Sequence, residues 1–364
     1  MTLLSLLFAL LIEQVRPLKD RNWVQSECAR WAQWFSRHLD VGQSHHARLI
    51  WCLSVGAPSL LVLFMHWFLW WSLGWVVAML WSVLVLYATL GFRQFSHHFT
   101  EIRDALEAGD EALARQKLAL WQRADTTHLS KPEVIRLAIE YSVLAAHQHV
   151  FGVLFWFSIF ASVGLGPMGA VVYRMSHLLA RLWSHPSPEG ATWDAPMNLG
   201  TPGALDALGA LGASSVSSLL GDASTNPMED DFARAERLEA HFVSEALRGW
   251  SAWAWMRLDW LSARATALSF AVVGNFEDAI ENWRMRSGAD PDDNDGVVVA
   301  ATAGALGLQL GGALLADFSA STTNADLGAE PQVHHLNSVV GLVWRTVVMW
   351  FVLLTLLSLA RLLG

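Results

Sequence analysis

The chain has little cysteine and little charge. Only Cys28 and Cys52 occur in 364 residues, the second inside an apolar run. Neither a disulfide framework nor a thiolate metal site is expected from them. Charged residues make up 16% of the chain, where a soluble globular domain carries about 25%. Hydrophobic residues reach 53% and the mean hydropathy is +0.33. This balance argues against an ordinary soluble domain and predicts membrane helices, with the lipid bilayer as a partner. Nothing resembles a basic nucleic-acid footprint, so no nucleic-acid partner is expected. The apolar N-terminus lacks a basic flank, and Glu13 stands where small residues would mark a cleavage site. An uncleaved helix is predicted there, not a signal peptide. The glycine-rich VGLGPMGAVVYR lacks the Lys-Ser/Thr pair of a phosphate loop.

The charge that is present is uneven. Residues 174–338 carry 21 acidic and 9 basic side chains, against 12 and 15 in the remainder. Residues 1–48 predict an apolar helix followed by an amphipathic surface helix, with Trp23, Trp31, Trp34 and Phe35 among Arg16, Lys19, Arg21, Arg30, Arg37 and Arg48. Residues 49–92 predict a transmembrane hairpin. Gly56-Ala57-Pro58 kinks its first helix, and Trp67, Trp70, Trp71 and Trp75 form an aromatic belt at its turn. Basic residues flank the hairpin on both outer sides, so 13–48 and 93–140 are expected in the cytoplasm.

Residues 93–140 predict cytoplasmic helices. Phe95, Phe99, Ile102 and Leu106 fall at helical spacing, Asp110 caps the next helix, and Ser130 with Glu133 caps the one after. Arg136 and Glu140, four residues apart on that helix, can pair. Residues 141–175 predict a membrane segment with a Gly/Pro turn. Its apolar run lies between His147 and His149 on one side and Gly164 to Gly169 on the other, and a third span is expected near 150–173. Residues 184–233 predict a flexible loop, and 234–312 a helical region. Arg257, Asp259 and Arg264 argue against a plain span within 250–273. ADPDDNDG resembles a calcium loop, but with Gly296 at position six the twelfth position is Thr302, so an acidic turn is expected. AATAGALGLQLGG, ending at Gly312, predicts tight helix packing. Residues 339–361 predict a C-terminal transmembrane helix. The expected fold class is all-α, a polytopic integral membrane protein with cytoplasmic helical insertions.

Several segments together resemble the CobD/CbiB family of adenosylcobinamide-phosphate synthases and its relative AmpE. They are MTLLSLLFALLIE, ALEAGDEALARQKLALWQRADTTHLSKPEVIRLAIE, LFWFSIFASVGLGPMGAVVYR, LDWLSARATAL and AGALGLQLGG. The resemblance implies a multi-pass protein of the cytoplasmic (inner) membrane. It implies joining aminopropanol or its phosphate to a carboxylate of adenosylcobyric acid, with ATP and Mg²⁺ as cofactors. On that reading Asp125 and Glu140 are catalytic, holding the metal or polarising the substrate. Thr126, Arg136, Tyr173, Arg174, Asn294 and Gly296 bind substrate, with Arg136 and Arg174 neutralising phosphate or carboxylate. No residue is assigned as a dedicated metal ligand. The sequence departs from the family at Leu144, Ala145, Gln148, Trp255, Met256 and Val299, where carboxylates or other polar groups are expected. Such losses remove metal ligands and acid–base groups. They raise the alternative of a non-enzymatic, AmpE-like sensor or regulator of cell-wall metabolism, binding a cell-wall-derived small ligand in place of a corrinoid.

Overall fold

The computed structural model describes residues 2–15, 23–90, 92–122, 126, 128–184, 243–311 and 328–363. Asp125 and the loop expected beyond Ser184 lie outside them. Among the described residues all regular structure is helical, and one isolated bridge pairs Leu308 with Ala329. The all-α expectation holds. Three stretches are long and apolar enough to cross a membrane: Ser44–Leu73, Lys131–Ser162 and Val333–Ala360.

The N-terminal helix α1 (Thr2–Val15) buries Leu6 and Ala9 and packs against α4. Helix α2 (Trp23–Leu39) lies on the first third of α3, where Trp31 Nε1 donates to the Ser54 carbonyl at 3.3 Å. The hairpin consists of α3 (Ser44–Leu73) and α4 (Trp75–Thr89), joined by Gly74 alone. Gly74 takes φ 87°, in the left-handed region that glycine enters without steric cost. Pro58 sits inside α3. Only Ala47, Ile50, Ser54, Val55 and Ser59 of α3 are buried, on one stripe. Leu60, Leu61, Phe64 and Trp71 face outward, as lipid contact requires.

Helices α5 (Phe92–Glu107) and α6 (Glu111–Gln122) pack as a pair. Asp110 Oδ1 accepts the Leu113 N–H at 2.9 Å, the cap the sequence predicts. Helix α7 (Lys131–Ala146) starts where Glu133 accepts from both the Ser130 N–H, at 2.8 Å, and the Ser130 hydroxyl, at 2.7 Å. It runs without a break through a π-turn (His147–Phe151) into α8 (Gly152–Ser162). The candidate span in this region is therefore Lys131–Ser162, earlier than the 150–173 read from hydropathy. The polar first turns of α7 hide this from a hydropathy reading, because most of that helix is enclosed by protein. The Gly/Pro turn then reverses the chain, with Gly164 at φ 85° and Gly166 at φ 56°. Helix α9 (Met168–Ser184) returns against α8.

Helix α10 (Glu245–Val273) crosses α9 and α3, and α11 (Phe276–Ala289) packs with α12 (Asn294–Leu306). A Cβ on Gly304 would stand 2.3 Å from the Asp278 carbonyl oxygen, so α11 and α12 approach at backbone distance. This is the close packing expected of the small-residue stretch. Helix α13 (Val333–Leu363) closes the bundle against α7 and α10.

Candidate functional site

Helices α7 to α10 and α12 converge on the π-turn. All five of its residues, His147 to Phe151, are buried. A π-turn places one residue more than an α-turn in the same rise, and such turns concentrate at functional sites. Here it presents two consecutive polar side chains to other helices. His147 Nε2 meets Asp259 Oδ1 of α10 at 3.0 Å, and His147 Nδ1 meets Thr266 Oγ1 at 2.9 Å. Tyr173 of α9 donates its hydroxyl to the same Asp259 Oδ1 at 2.8 Å, and Ser262 donates at 3.0 Å. His147 is wholly buried and Asp259 is 1% exposed. Burial alone pushes the Asp259 carboxyl up, but His147, Tyr173 and Ser262 outweigh it and hold it below the ordinary value.

The next residue, Gln148, donates Nε2 to Asp295 Oδ1 of α12 at 3.4 Å. Asp295 is half-buried. Burial, and then the neighbouring Asp259 charge, push its carboxyl up to about 7. Asn294 beside it donates Nδ2 to the Met256 carbonyl at 2.8 Å and accepts from Arg264 Nη1 at 2.9 Å. Arg264 also donates to the Pro291 carbonyl at 2.7 Å and lies over the Trp260 ring. The start of α12 is thus fastened to the middle of α10.

Tyr173 and Asn294, among the residues predicted from sequence, belong to this cluster. Gly296 supports it at one remove. Its N–H donates to the capping Asp293 Oδ1 at 2.8 Å, and Arg286 Nε donates to Asp293 Oδ2 at 2.8 Å. A Cβ at Gly296 would stand 2.0 Å from Asp293 Oδ2. The ADPDDNDG stretch is therefore an acidic turn that starts a helix. Arg174, next to Tyr173 on α9, is half-buried.

Glu140 and Arg136 form a second polar place. They pair at 3.7 Å, and Glu140 Oε1 accepts the Gly311 N–H at 2.7 Å. Glu140 lies eight residues before Gln148, which is about 12 Å along the helix. Thr126 is buried and donates to the Arg115 carbonyl at 2.7 Å, which fastens the loop before α7. The structure thus does not gather Thr126, Arg136 and Glu140 around Tyr173 and Asn294.

His147, Gln148, Asp259 and Asp295 were not predicted as site residues. Two faint signals pointed to them: His147 bounding an apolar run, and Asp259 interrupting another.

The model of the CobD/Cbib protein family matches residues 6–192, which include the π-turn and Tyr173. The chain belongs to the CobD/CbiB family. A cobalamin biosynthesis protein CobD of Stutzerimonas stutzeri (strain A1501) is 27% identical over 330 residues, 89% of this chain and 86% of the relative. One of Chromobacterium violaceum is 29% identical over 231 residues, covering 63% and 55%. One of Leptospira interrogans is 31% identical over 137 residues, covering 38% and 40%. No solved structure matches the chain. As a CobD/CbiB member with these relatives, the chain is a cobalamin-biosynthesis protein, and the AmpE-like regulator reading is not favoured.

Proposed function

We propose that this CobD/CbiB protein joins aminopropanol, or its phosphate, to a carboxylate of adenosylcobyric acid, as an adenosylcobinamide-phosphate synthase of the inner membrane. The observation that carries this reading is the buried Asp259–His147–Tyr173 network, held between three helices beside the half-buried Asp295. A fully buried and fully hydrogen-bonded charged group is costly to build unless it fixes a geometry. Both His147 nitrogens are engaged, so this group acts by positioning. What it positions is the face carrying Asp295 and Gln148.

In this reading Arg174 and Arg136 neutralise the anionic groups of the two substrates, the carboxylate and the phosphate. Glu140 holds the chain after α12 in place through the Gly311 N–H. Asp125 lies outside the described residues.

Amide formation from a carboxylate requires its activation, which a nucleoside triphosphate with Mg²⁺ supplies when bound. The residues fit Mg²⁺: Asp259 and Asp295 are carboxylates within electrostatic reach of each other, and the Gln148 amide oxygen is buried without a hydrogen-bond partner among the described residues. This is a hard-oxygen donor set. The glycines after Ala303 do not fit a phosphate cradle. Gly304 is closed off by Asp278 and Gly307 ends α12 at φ 65°. No step is therefore routed through a nucleotide.

The test is direct. Purified protein with ATP, Mg²⁺, adenosylcobyric acid and aminopropanol phosphate is expected to give the amide, detected by mass spectrometry. No product under conditions where a synthase of the family turns over sinks the reading. For orientation, a reporter fused at Ala108 is expected to read cytoplasm, and a periplasmic signal reverses it.

A further inference from the structure

We propose that the groove where α3 and α10 begin binds the headgroup of a phospholipid that carries both a phosphate and an ammonium, as an ethanolamine headgroup does. The inference rests on the membrane helices and is independent of the reaction proposed above.

The groove is built by the fold itself. Ser44 opens α3, the first stretch able to cross a membrane, and Glu245 opens α10. Asp40, in the turn before α3, ties the two starts together. Its Oδ2 accepts the Ser244 N–H at 2.8 Å, and its Oδ1 accepts the Ser244 hydroxyl at 2.7 Å. Between the two helix starts lies a groove of about 470 Å³, lined by Ser44, Arg48, Glu245, Gly249, Trp250 and Trp253 among others. That is within the range of roughly 300–1,000 Å³ in which small ligands are held. A Cβ on Gly249 would meet nothing within 4 Å, so the groove is open there. Trp250 and Trp253 stack with their ring centres 4.6 Å apart, and the Arg48 guanidinium lies 4.7 Å over the Trp250 ring. An aromatic face steadies a long cationic side chain and leaves its planar set of N–H donors for an oxyanion.

The charges in the groove match such a headgroup. Arg48 and Glu245 are both exposed, and among the described residues neither forms an ion pair, with the other or elsewhere. One unpaired cation and one unpaired carboxylate in the same groove complement a ligand that carries a phosphate and an ammonium. A ligand with negative charge alone would gain Arg48 but meet repulsion from Glu245.

The position selects a lipid over a free aminoalkyl phosphate. The groove stands at the end of a candidate span, and tryptophan gathers at the boundary between membrane and water. Leu49 directly follows Arg48, Leu53 lies about one turn further along α3, and both are exposed, as is Trp253 on α10. Apolar surface thus leads away from the charged end, where acyl chains need it.

The experiment titrates the full-length chain in detergent with dioleoyl phosphatidylethanolamine or dioleoyl phosphatidylglycerol, and counts bound lipid by native mass spectrometry. The expected result is one retained phosphatidylethanolamine, held about fivefold tighter than phosphatidylglycerol, the upper end for a single exposed ion pair. Arg48→Gln is expected to weaken phosphatidylethanolamine about tenfold, the scale of a hydrogen bond to a charged group. Glu245→Gln is expected to bring the two lipids within about twofold of each other, because the partner of the ammonium is gone. A loss of structure alone would not move that preference. Arg284→Gln, at an exposed residue of α11, is expected to change nothing. Absence of retained lipid, wild-type retention in Arg48→Gln, or an unchanged preference in Glu245→Gln each overturns the site. Displacement of the lipid by an equal concentration of free O-phosphoethanolamine overturns the lipid assignment, since the acyl chains would then contribute nothing.

Discussion

Two helical stretches of this protein look alike as strings and behave as opposites in the fold. Ser44–Leu73 and Lys131–Ser162 have similar lengths, and their most apolar windows have mean hydropathies of 1.8 and 1.5. Yet 22% of the most apolar window is buried in the first and 72% in the second. The difference is what each helix touches. In α3 the buried Ser59 Oγ donates to the Val55 carbonyl of its own helix at 2.6 Å. In the α7–α8 helix buried polar groups reach across, from His147 to Asp259 and from Gln148 to Asp295. Length and hydropathy make a helix that can span. Whether lipid or protein surrounds it is decided by its neighbours, and polar chemistry collects only in the enclosed one.

That contrast can be broken most severely at Asp259. Asp259→Ala leaves His147, Tyr173 and Ser262 with no common acceptor, and removing one partner of a buried ion pair costs about 3–5 kcal/mol. Thermal unfolding in detergent is expected to show a large drop in Tm; a change within the scatter of surface variants would mean that the network does not hold these helices together. A smaller effect sharpens the same side of the comparison. Burial, followed by the Arg174 and Arg181 guanidiniums, holds the His177 imidazole on α9 well below 6.5. A depressed pKa means that the folded state takes up a proton less readily than the unfolded state. The stability from keeping His177 neutral is thus full above pH 6.5 and is lost as pH falls toward the depressed folded value. Wild type is expected to lose more Tm between pH 7 and pH 5 than His177→Phe, and parallel curves for the two would refute the assignment. The smallest effect belongs to the hairpin. Trp71 is 79% exposed, so Trp71→Ala is expected to change stability by about 0.5 kcal/mol or less in detergent. A cost like that of Asp259→Ala would show that the hairpin is enclosed after all.

Much of the architecture is legible in the residues. Gly, Pro and Trp mark the hairpin, and both Asp110 and Ser130 cap the helices they precede, because caps are local and the residues that make them are adjacent in sequence. The Arg136–Glu140 pair is equally local. The polar cluster is a different matter. His147 and Asp259 are 112 residues apart, and nothing near either one announces the other. Asp259 registers in sequence only as a charge that spoils a span, and Glu140 draws attention as the carboxylate nearest an apolar run. In the fold Asp259 sits at the centre of the network, while Glu140 ties down the chain after α12. The early start of the Lys131–Ser162 helix is hidden for a related reason: hydropathy registers lipid contact, and this helix is wrapped mainly by protein.

The π-turn adds one further consequence, and it concerns counting. Each residue advances a helix by about 100°. The extra residue at His147–Phe151 is instead taken up within the wider turn, which keeps the helix before it and the helix after it in one phase. Deleting a single residue within the turn need not remove any member of the network. It would nevertheless let the turn close to an ordinary α-turn, leaving Leu154 and Phe157 in the core they now fill while moving His147 and Gln148 off the helices they now reach. At this point the number of residues carries as much structural information as their identities, and a substitution scan alone would not find it.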